Sequence, residues 1–398
     1  MIYTKKEVMQ YVCEEDVKFI RLAFCDPFGV QKNISIMPDE LERAFEHGIG
    51  IDSTAIEGFG GVDCSDIFLF PDPSTLSVLP WRPSHGRVVR MFCSLFYADG
   101  RPFELDSRKI LKDAAKAAME ADYTFNISSE IEFYLFKTDE EGNPTDIPFD
   151  NAGYMDIAPA DKGENVRREI CLTLEQMGIK PESSHHEEGP GQNEIDFKFS
   201  DPVTAADNAI TFLSVVKTVA ARNGLCVSFL PKPLENRPGN GFHINISLEN
   251  IKDEKDDSSY SFAIAGIMNR IKAMTVFLNP LESSYARLGL EKAPNHITWS
   301  KENRRSLIRI PADKGGIKRF QLRSPDPSAN PYIAYALMIY AALEGIKNKE
   351  ALAPEAKDCE NESYAKLPQA LMSAMAKAKE SEFIKGFLPE AMIKKYCK

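Results

Sequence analysis

With 398 residues, 43% hydrophobic and 27% charged, the chain has the composition of a globular protein large enough for two domains. Its formal net charge of -11 argues against a general nucleic-acid binder, which needs a basic face. The eight cysteines, at 13, 25, 64, 93, 171, 226, 359 and 397, contain no C-x-x-C pair, a scatter that suits reduced thiols in a cytoplasm rather than disulfides or zinc. The first residues, "MIYTKKEVMQYVCEED", lack the apolar core of a signal peptide, so a cytoplasmic protein is expected. "VKFIRLAFCDPFGVQKNISI" predicts two strands around a D-P-F-G turn, and "PDELERAFEHG" a short helix after them. "GRVVRMFCSLFYADGRPF" predicts a further hairpin turning at A-D-G. "DSRKILKDAAKAAMEA" is amphipathic with an acidic N-terminus and predicts a helix from Asp106. Composition shifts there from β-rich to mixed, so domains of 1–105 and 106–398 are expected. Further on, "PVTAADNAITFLSVVKTVAARNG" predicts a glycine-terminated helix, and "NPYIAYALMIYAALEGI" a buried one. "KDEKDDSS", residues 252–259, predicts a solvated loop. No apolar stretch is expected to span a bilayer, and no membrane partner is expected.

The chemistry emerges from period-two reading of four strands. In "SSEIEFYLF", Ile131, Phe133 and Leu135 share one face, and Glu130 and Glu132 the other. In "NEIDFKF", Ile195, Phe197 and Phe199 oppose Glu194 and Asp196. In "GFHINISL", Phe242, Ile244, Ile246 and Leu248 oppose His243, Asn245 and Ser247. In "RFQLRS", Phe320 and Leu322 oppose Arg319, Gln321 and Arg323. Any one such strand also fits a half-exposed sheet facing water. Four of them, beside the dense "HHEEGPGQNEID" at 185–196, shift the balance towards a concave site in which Glu187 and Glu194 flank the G-P-G turn. Oxygen ligands with one imidazole favour magnesium or manganese over zinc. Arg287, Arg304, Arg305 and Arg309 add guanidinium groups suited to phosphates or a substrate carboxylate. Metal and arginines together point to nucleotide-dependent phosphoryl transfer, without a P-loop.

The ordered stretches "IDSTAIEGF", "SDIFLFPDPSTL", "SSEIEFYLF", "HHEEGPGQNE", "PGNGFHINISL", "NPLESSYARL", "NRRSLIRIP" and "LRSPDPSANPY" resemble the glutamine synthetase family across essentially the whole chain. The resemblance implies an α+β protein. An N-terminal β-grasp-like domain would precede a larger catalytic domain with a curved antiparallel sheet flanked by helices. It implies ATP and Mg2+ or Mn2+ as cofactors, and glutamate with ammonia or another amine as substrates. A homo-oligomer is implied too, a hexameric ring or a double-ring dodecamer with sites between subunits. Residue by residue, Glu132, Glu187 and Glu194 match the ligands of a first metal. Glu130 and His243, with Gln321 in place of the usual glutamate, match those of a second. Arg304 and Arg309 match phosphate-binding positions, and Asn245 and Ser247 lie where the nucleotide is expected. Gly239, Arg287 and Arg323 match positions holding the glutamate carboxylates. Asp52 matches an aspartate that acts in the neighbouring subunit's site.

Several positions depart from the family pattern: Gln321, Pro238, Asn245 at the second position of the H-x-H strand, and Lys292 where a flap glutamate precedes Ala-Pro. Glu291 is the nearest replacement carboxylate on that flap. These departures leave open a larger amine, another acid, or a catalytically weak structural or regulatory homologue.

Overall fold

Alternating apolar residues build the first sheet. Val17–Cys25 buries Ile20 and Leu22, and it pairs antiparallel with Gln31–Ile36 across the expected D-P-F-G turn. Asp26 holds that turn by accepting from the backbone N–H groups of Phe28 and Val30. The sheet runs Gln31–Ile36, Val17–Cys25, Arg87–Tyr97, Asp66–Pro71, Ile49–Asp52, with Ser77–Val78 also on Arg87–Tyr97. Among the described residues, only the pairing of Val17–Cys25 with Arg87–Tyr97 is parallel in this sheet. The computed structural model describes residues 3–60, 65–82, 85–253, 258–311 and 318–398.

The hairpin expected after Tyr97 is shorter than its sequence suggests. Beyond the turn it makes a single bridge, Phe96 to Pro102. Pro102 sits at the non-hydrogen-bonded position of that bridge, and beyond it Phe103 N still donates to Leu95 O at 2.9 Å. Asp106 then redirects the chain: its carboxylate accepts from Leu95 N and from Lys109 N, capping the helix Ser107–Glu120.

A second sheet of nine strands organises the rest. Its order is Trp299–Ser300, Ile308–Arg309, Phe320–Leu322, Phe242–Asn250, Tyr123–Thr138, Gln192–Phe197, Pro181–His186. Leu225–Ser228 and Pro144–Pro148 also pair with the long Tyr123–Thr138 strand. All these pairings are antiparallel, as expected, except that of Trp299–Ser300 with Ile308–Arg309, which makes the sheet mixed at one edge.

Helices Ser107–Glu120, Pro202–Arg222, Ser258–Leu278 and Pro331–Lys347 supply much of the apolar core, which includes Ile131, Phe133, Ile195, Ile244 and Ile246 from the strands. The helix Ser258–Leu278 corrects the expectation about membranes. By length and composition alone, this 21-residue helix, with an 18-residue window of mean hydropathy 1.2, is apolar enough to cross one. Its Gly266 instead meets Gly345 of the buried helix Pro331–Lys347, so closely that a Cβ on either would clash with backbone. A two-sided core contact explains the apolar run. Of the charge run at 252–259, residues 254–257 lie outside the described residues, and Ser258 and Ser259 open this helix.

Candidate active site

Strand register brings the polar faces together. Glu130 pairs across strands with both Asp196 and His243, and Glu132 pairs with Glu194, which in turn faces His185. A third row runs Arg309, Gln321, Asn245, Ser128. Cross-strand neighbours lie about 5 Å apart, so three rows of side chains project from one face of the sheet. The Glu188–Gly191 turn returns the chain so that Glu187 joins them. Gly191, at φ +69°, fits there because a Cβ would lie 2.7 Å from the carbonyl oxygen of Leu135.

This face floors a cavity of about 960 Å³ lined by Glu130, Glu132, Glu187, Glu194 and His243. Gly239, Glu291, Arg287, Arg304, Arg309 and Arg323 also line it. Three of the candidate residues lie off its lining, apart from Asp52. Asn245 and Gln321 sit behind Glu130, and Ser247 Oγ lies 3.4 Å from the Tyr260 hydroxyl, turned towards a helix. Ser247 therefore does not join the cavity despite sharing the polar face, because Tyr260 occupies that end of the strand. Asp52 is exposed on the first sheet, where its carboxylate accepts from Thr54 N and Thr54 Oγ1.

The carboxylates are strained electrostatically. Burial raises the carboxyl groups of Glu132, Glu187 and Glu194, Glu194 most of all, and its neighbours Glu132, Asp196 and Glu187 push it further. Burial and Glu130 lift Asp196 to about 6. Two carboxylates 5 Å apart repel by on the order of 3 kcal/mol at an effective dielectric of 20. Glu130 behaves oppositely: although buried, it is held down to about 2 by His243, Asn245 and Arg323. Ligand atoms of Glu132, Glu194 and His243 lie within 4.8 Å of one another, as do those of His185, Glu187 and Glu194. Gly241 keeps the space between these groups clear of a side chain, since a Cβ there would lie 2.8 Å from His243 Nε2 and 3.1 Å from both Arg287 Nη2 and Glu132 Oε1. Crowded acids around a hollow fit a divalent cation.

Two of the arginines, Arg287 and Arg323, are held by backbone carbonyls. Arg287 is buried and donates from Nη1 to Ser324 O at 2.7 Å. Arg323 donates from Nε to Arg304 O at 2.8 Å and from Nη1 to Gln321 Oε1 at 2.7 Å. Burial lowers Arg323 to about 10, so it stays charged at neutral pH. Arg305, by contrast, pairs with Glu360 at the surface.

Three neighbours escaped the sequence reading. His185 Nδ1 lies 3.5 Å from Glu187 Oε1 and its Nε2 3.8 Å from Glu194 Oε1. Continuing the alternation two residues back from Glu187 would have found it. The adjacent His186 points the other way and bonds Asp150. Asp196, recognised on the polar face, was not counted as a ligand. Tyr154, whose ring stands edge-on to His185 at 5.4 Å, comes from a loop without period and left no signal.

Comparison with known proteins agrees with this architecture. The glutamine synthetase β-grasp domain model matches residues 16–98, and the glutamine synthetase catalytic domain model matches 104–398. A glutamine synthetase of Clostridium saccharobutylicum is 43% identical over 99% of this chain and 93% of its own. One of Methanosarcina mazei is 43% identical over 99% and 92%, and one of Staphylococcus aureus 41% over 97% and 91%. Among solved structures, GmaS in an ADP complex and GmaS without ligand each superpose with a TM-score of 0.88 at 27% identity. They cover 98% of this chain and 93% and 94% of their own.

Proposed function

The chain belongs to the glutamine synthetase family, and on that premise we propose that it is an ATP-dependent ligase joining glutamate to ammonia. The observation that carries this reading is one cavity lined both by crowded acids, Glu130, Glu132, Glu187 and Glu194, and by the arginines Arg287, Arg304, Arg309 and Arg323. Arg287, Arg323 and the backbone at Gly239 hold the glutamate carboxylates, and Arg304 and Arg309 receive the phosphates of ATP. A γ-carboxylate oxygen of glutamate attacks the terminal phosphorus, and the bond to ADP breaks. Arginines aimed at the oxygens that gain charge lower that barrier. Ammonia then attacks the acyl carbon of the γ-glutamyl phosphate, and phosphate leaves with the C–O bond electrons. The proton shed by ammonium passes to a carboxylate, either Glu291 on the flap or Asp52 of an adjacent copy. Glu132, Glu187 and Glu194 are the residues that would hold a divalent cation, Mg2+ or Mn2+, which supplies charge neutralisation at the reacting oxygens.

This reading extends to the assembly: a ring of six or a double ring, in which Asp52 completes the neighbouring site, with the domains dividing near residue 105. A cytoplasmic setting is consistent with free thiols at Cys13, Cys25, Cys93, Cys171, Cys226, Cys359 and Cys397. A larger amine is the second reading, motivated by the departures from the family pattern at Pro238 and Gln321. The test is product identification after incubation with ATP, Mg2+, glutamate and either ammonia or an amine panel.

A further inference from the structure

The two ends of the His243 ring have different neighbours. Nδ1 lies 3.2 Å from Glu130 Oε2. Nε2 is buried, 4.0 Å from Glu132 Oε1, too far for a hydrogen bond, and it shares a hollow with Glu132 and Glu194. A carboxylate on one ring nitrogen fixes the tautomer with the proton on Nδ1 and leaves the Nε2 lone pair aimed into that hollow.

Glu130 itself is already saturated by protein donors. Its Oε1 accepts from Asn245 Nδ2 at 2.9 Å and from Gln321 Nε2 at 2.7 Å, while Oε2 takes the His243 proton. Both amides are fixed in that sense by their surroundings. Turning Gln321 over would set its oxygen against Glu130 and its N–H groups against Arg323 Nη1, which now donates to Gln321 Oε1 at 2.7 Å. Asn245 keeps its nitrogen on Glu130 even though its Oδ1 is left buried without a partner. Leaving a buried acceptor unsatisfied is unfavourable, so the pull of Glu130 on the amide outweighs it. A cation at Glu130 would have to displace two amide donors and find oxygens where N–H groups point.

We infer that, among the described residues, this cavity carries a single protein-bound cation centre, in which His243 Nε2 joins Glu132, Glu187 and Glu194, and Glu130 is the carboxylate that orients His243. The second cation position suggested by family likeness is filled by the amides of Gln321 and Asn245, which do not fit one. Glu130, Gln321 and Asn245 are thereby positioning residues. A further cation can enter only with the nucleotide's phosphates. The inference rests on the proposed ligase reading for its expectation of a cation, but it concerns ligand identity and is read without substrate or turnover.

The experiment is Mn2+ titration of the full-length, nucleotide-free protein, followed by free-ion EPR and electron spin-echo detection of nitrogen coupling. One tight Mn2+ per chain with imidazole nitrogen coupling is expected. His243→Ala should abolish the coupling and weaken binding at least tenfold, whereas His185→Ala should leave the coupling in place. Glu130→Gln, which can still accept the Nδ1 proton, should keep the count at one and weaken binding by no more than about a hundredfold, the range of an orienting partner. The double change Gln321→Glu with Asn245→His should raise the count to two. Two tight ions on the unaltered chain would overturn the inference without recourse to any variant. So would one ion whose nitrogen coupling survives His243→Ala. Loss of product formation with the metal count unchanged would instead tell against the ligase reading alone.

Discussion

Lys292 forms an ion pair with Glu188 across the mouth of the cavity, with its ammonium group 5.3 Å above the Tyr154 ring. The pair ties the flap to the turn that carries Glu187, and it neutralises the charge that would repel ammonium. Both side chains are partly exposed, 46% and 37%, so the pair contributes at most about 1 kcal/mol to stability. Lys292→Ala should therefore leave the melting temperature and kcat nearly unchanged. Lys292→Glu sets two carboxylates together at the mouth and should raise KM for glutamate roughly fivefold, about 1 kcal/mol. Adding Glu188→Lys should restore it. Steady-state kinetics of the three variants checks this, and a gain of turnover in Lys292→Glu alone would show that Lys292 had been repelling ammonium.

Removing a ligand carboxylate should stabilise the metal-free protein. Burial and the neighbouring acids raise Glu194 well above the usual range, so Glu194→Gln relieves repulsion and should raise metal-free stability by about 1–3 kcal/mol. The same change should weaken Mn2+ binding at least tenfold. Denaturant melts with and without Mn2+ would show opposite signs. Equal destabilisation in both conditions would mean that Glu194 serves packing rather than a cation.

The alternation of apolar and polar residues made the four site strands legible, because a strand's period is two and one face had to be buried. The helices at 107–120, 202–222 and 331–347 were equally plain from caps and periodicity. What stayed hidden depends on partners distant in sequence. Which atom of Gln321 faces Glu130 is decided by Arg323 and Asn245 together, and no local pattern carries that. The pairing of Lys292 with Glu188 was equally hidden, because the two lie 104 residues apart. The hairpin beyond Tyr97 was overread, since the A-D-G turn signal is strong while the Asp106 carboxylate takes the Leu95 N–H and ends the pairing after one bridge.

Metal-free stability should fall as pH rises through the acidic range. Asp196 is raised from 3.8 to about 6 in the folded chain, so the folded state holds its proton more tightly than the unfolded one. The favourable contribution is full below pH about 4 and is lost as pH rises towards 6. It amounts to on the order of 2 kcal/mol. Asp196→Asn should flatten that part of the profile. Cation binding should have the opposite slope, strengthening as pH rises, because the ligands must be deprotonated. Chemical denaturation at a series of pH values, with and without Mn2+, separates the two.

Asp52 lies on the first sheet, off the cavity of its own chain. If it completes a neighbour's site, Asp52→Ala and Arg323→Ala should each abolish turnover while leaving subunits folded. Assemblies co-expressed from the two should recover about a quarter of normal activity, since random mixing places intact Asp52 beside intact Arg323 in that fraction of interfaces. Absence of recovery, with mixed assemblies verified by mass, would place Asp52 outside the site.

The most direct measurement of the central claim is the stoichiometry of products from the unaltered protein supplied with ATP, Mg2+, glutamate and ammonia. The expected result, by mass spectrometry and phosphate assay, is glutamine, ADP and phosphate in equal amounts, with no ADP formed when glutamate is omitted. ADP and phosphate released without glutamine, or an amide formed only when a larger amine replaces ammonia, would contradict it.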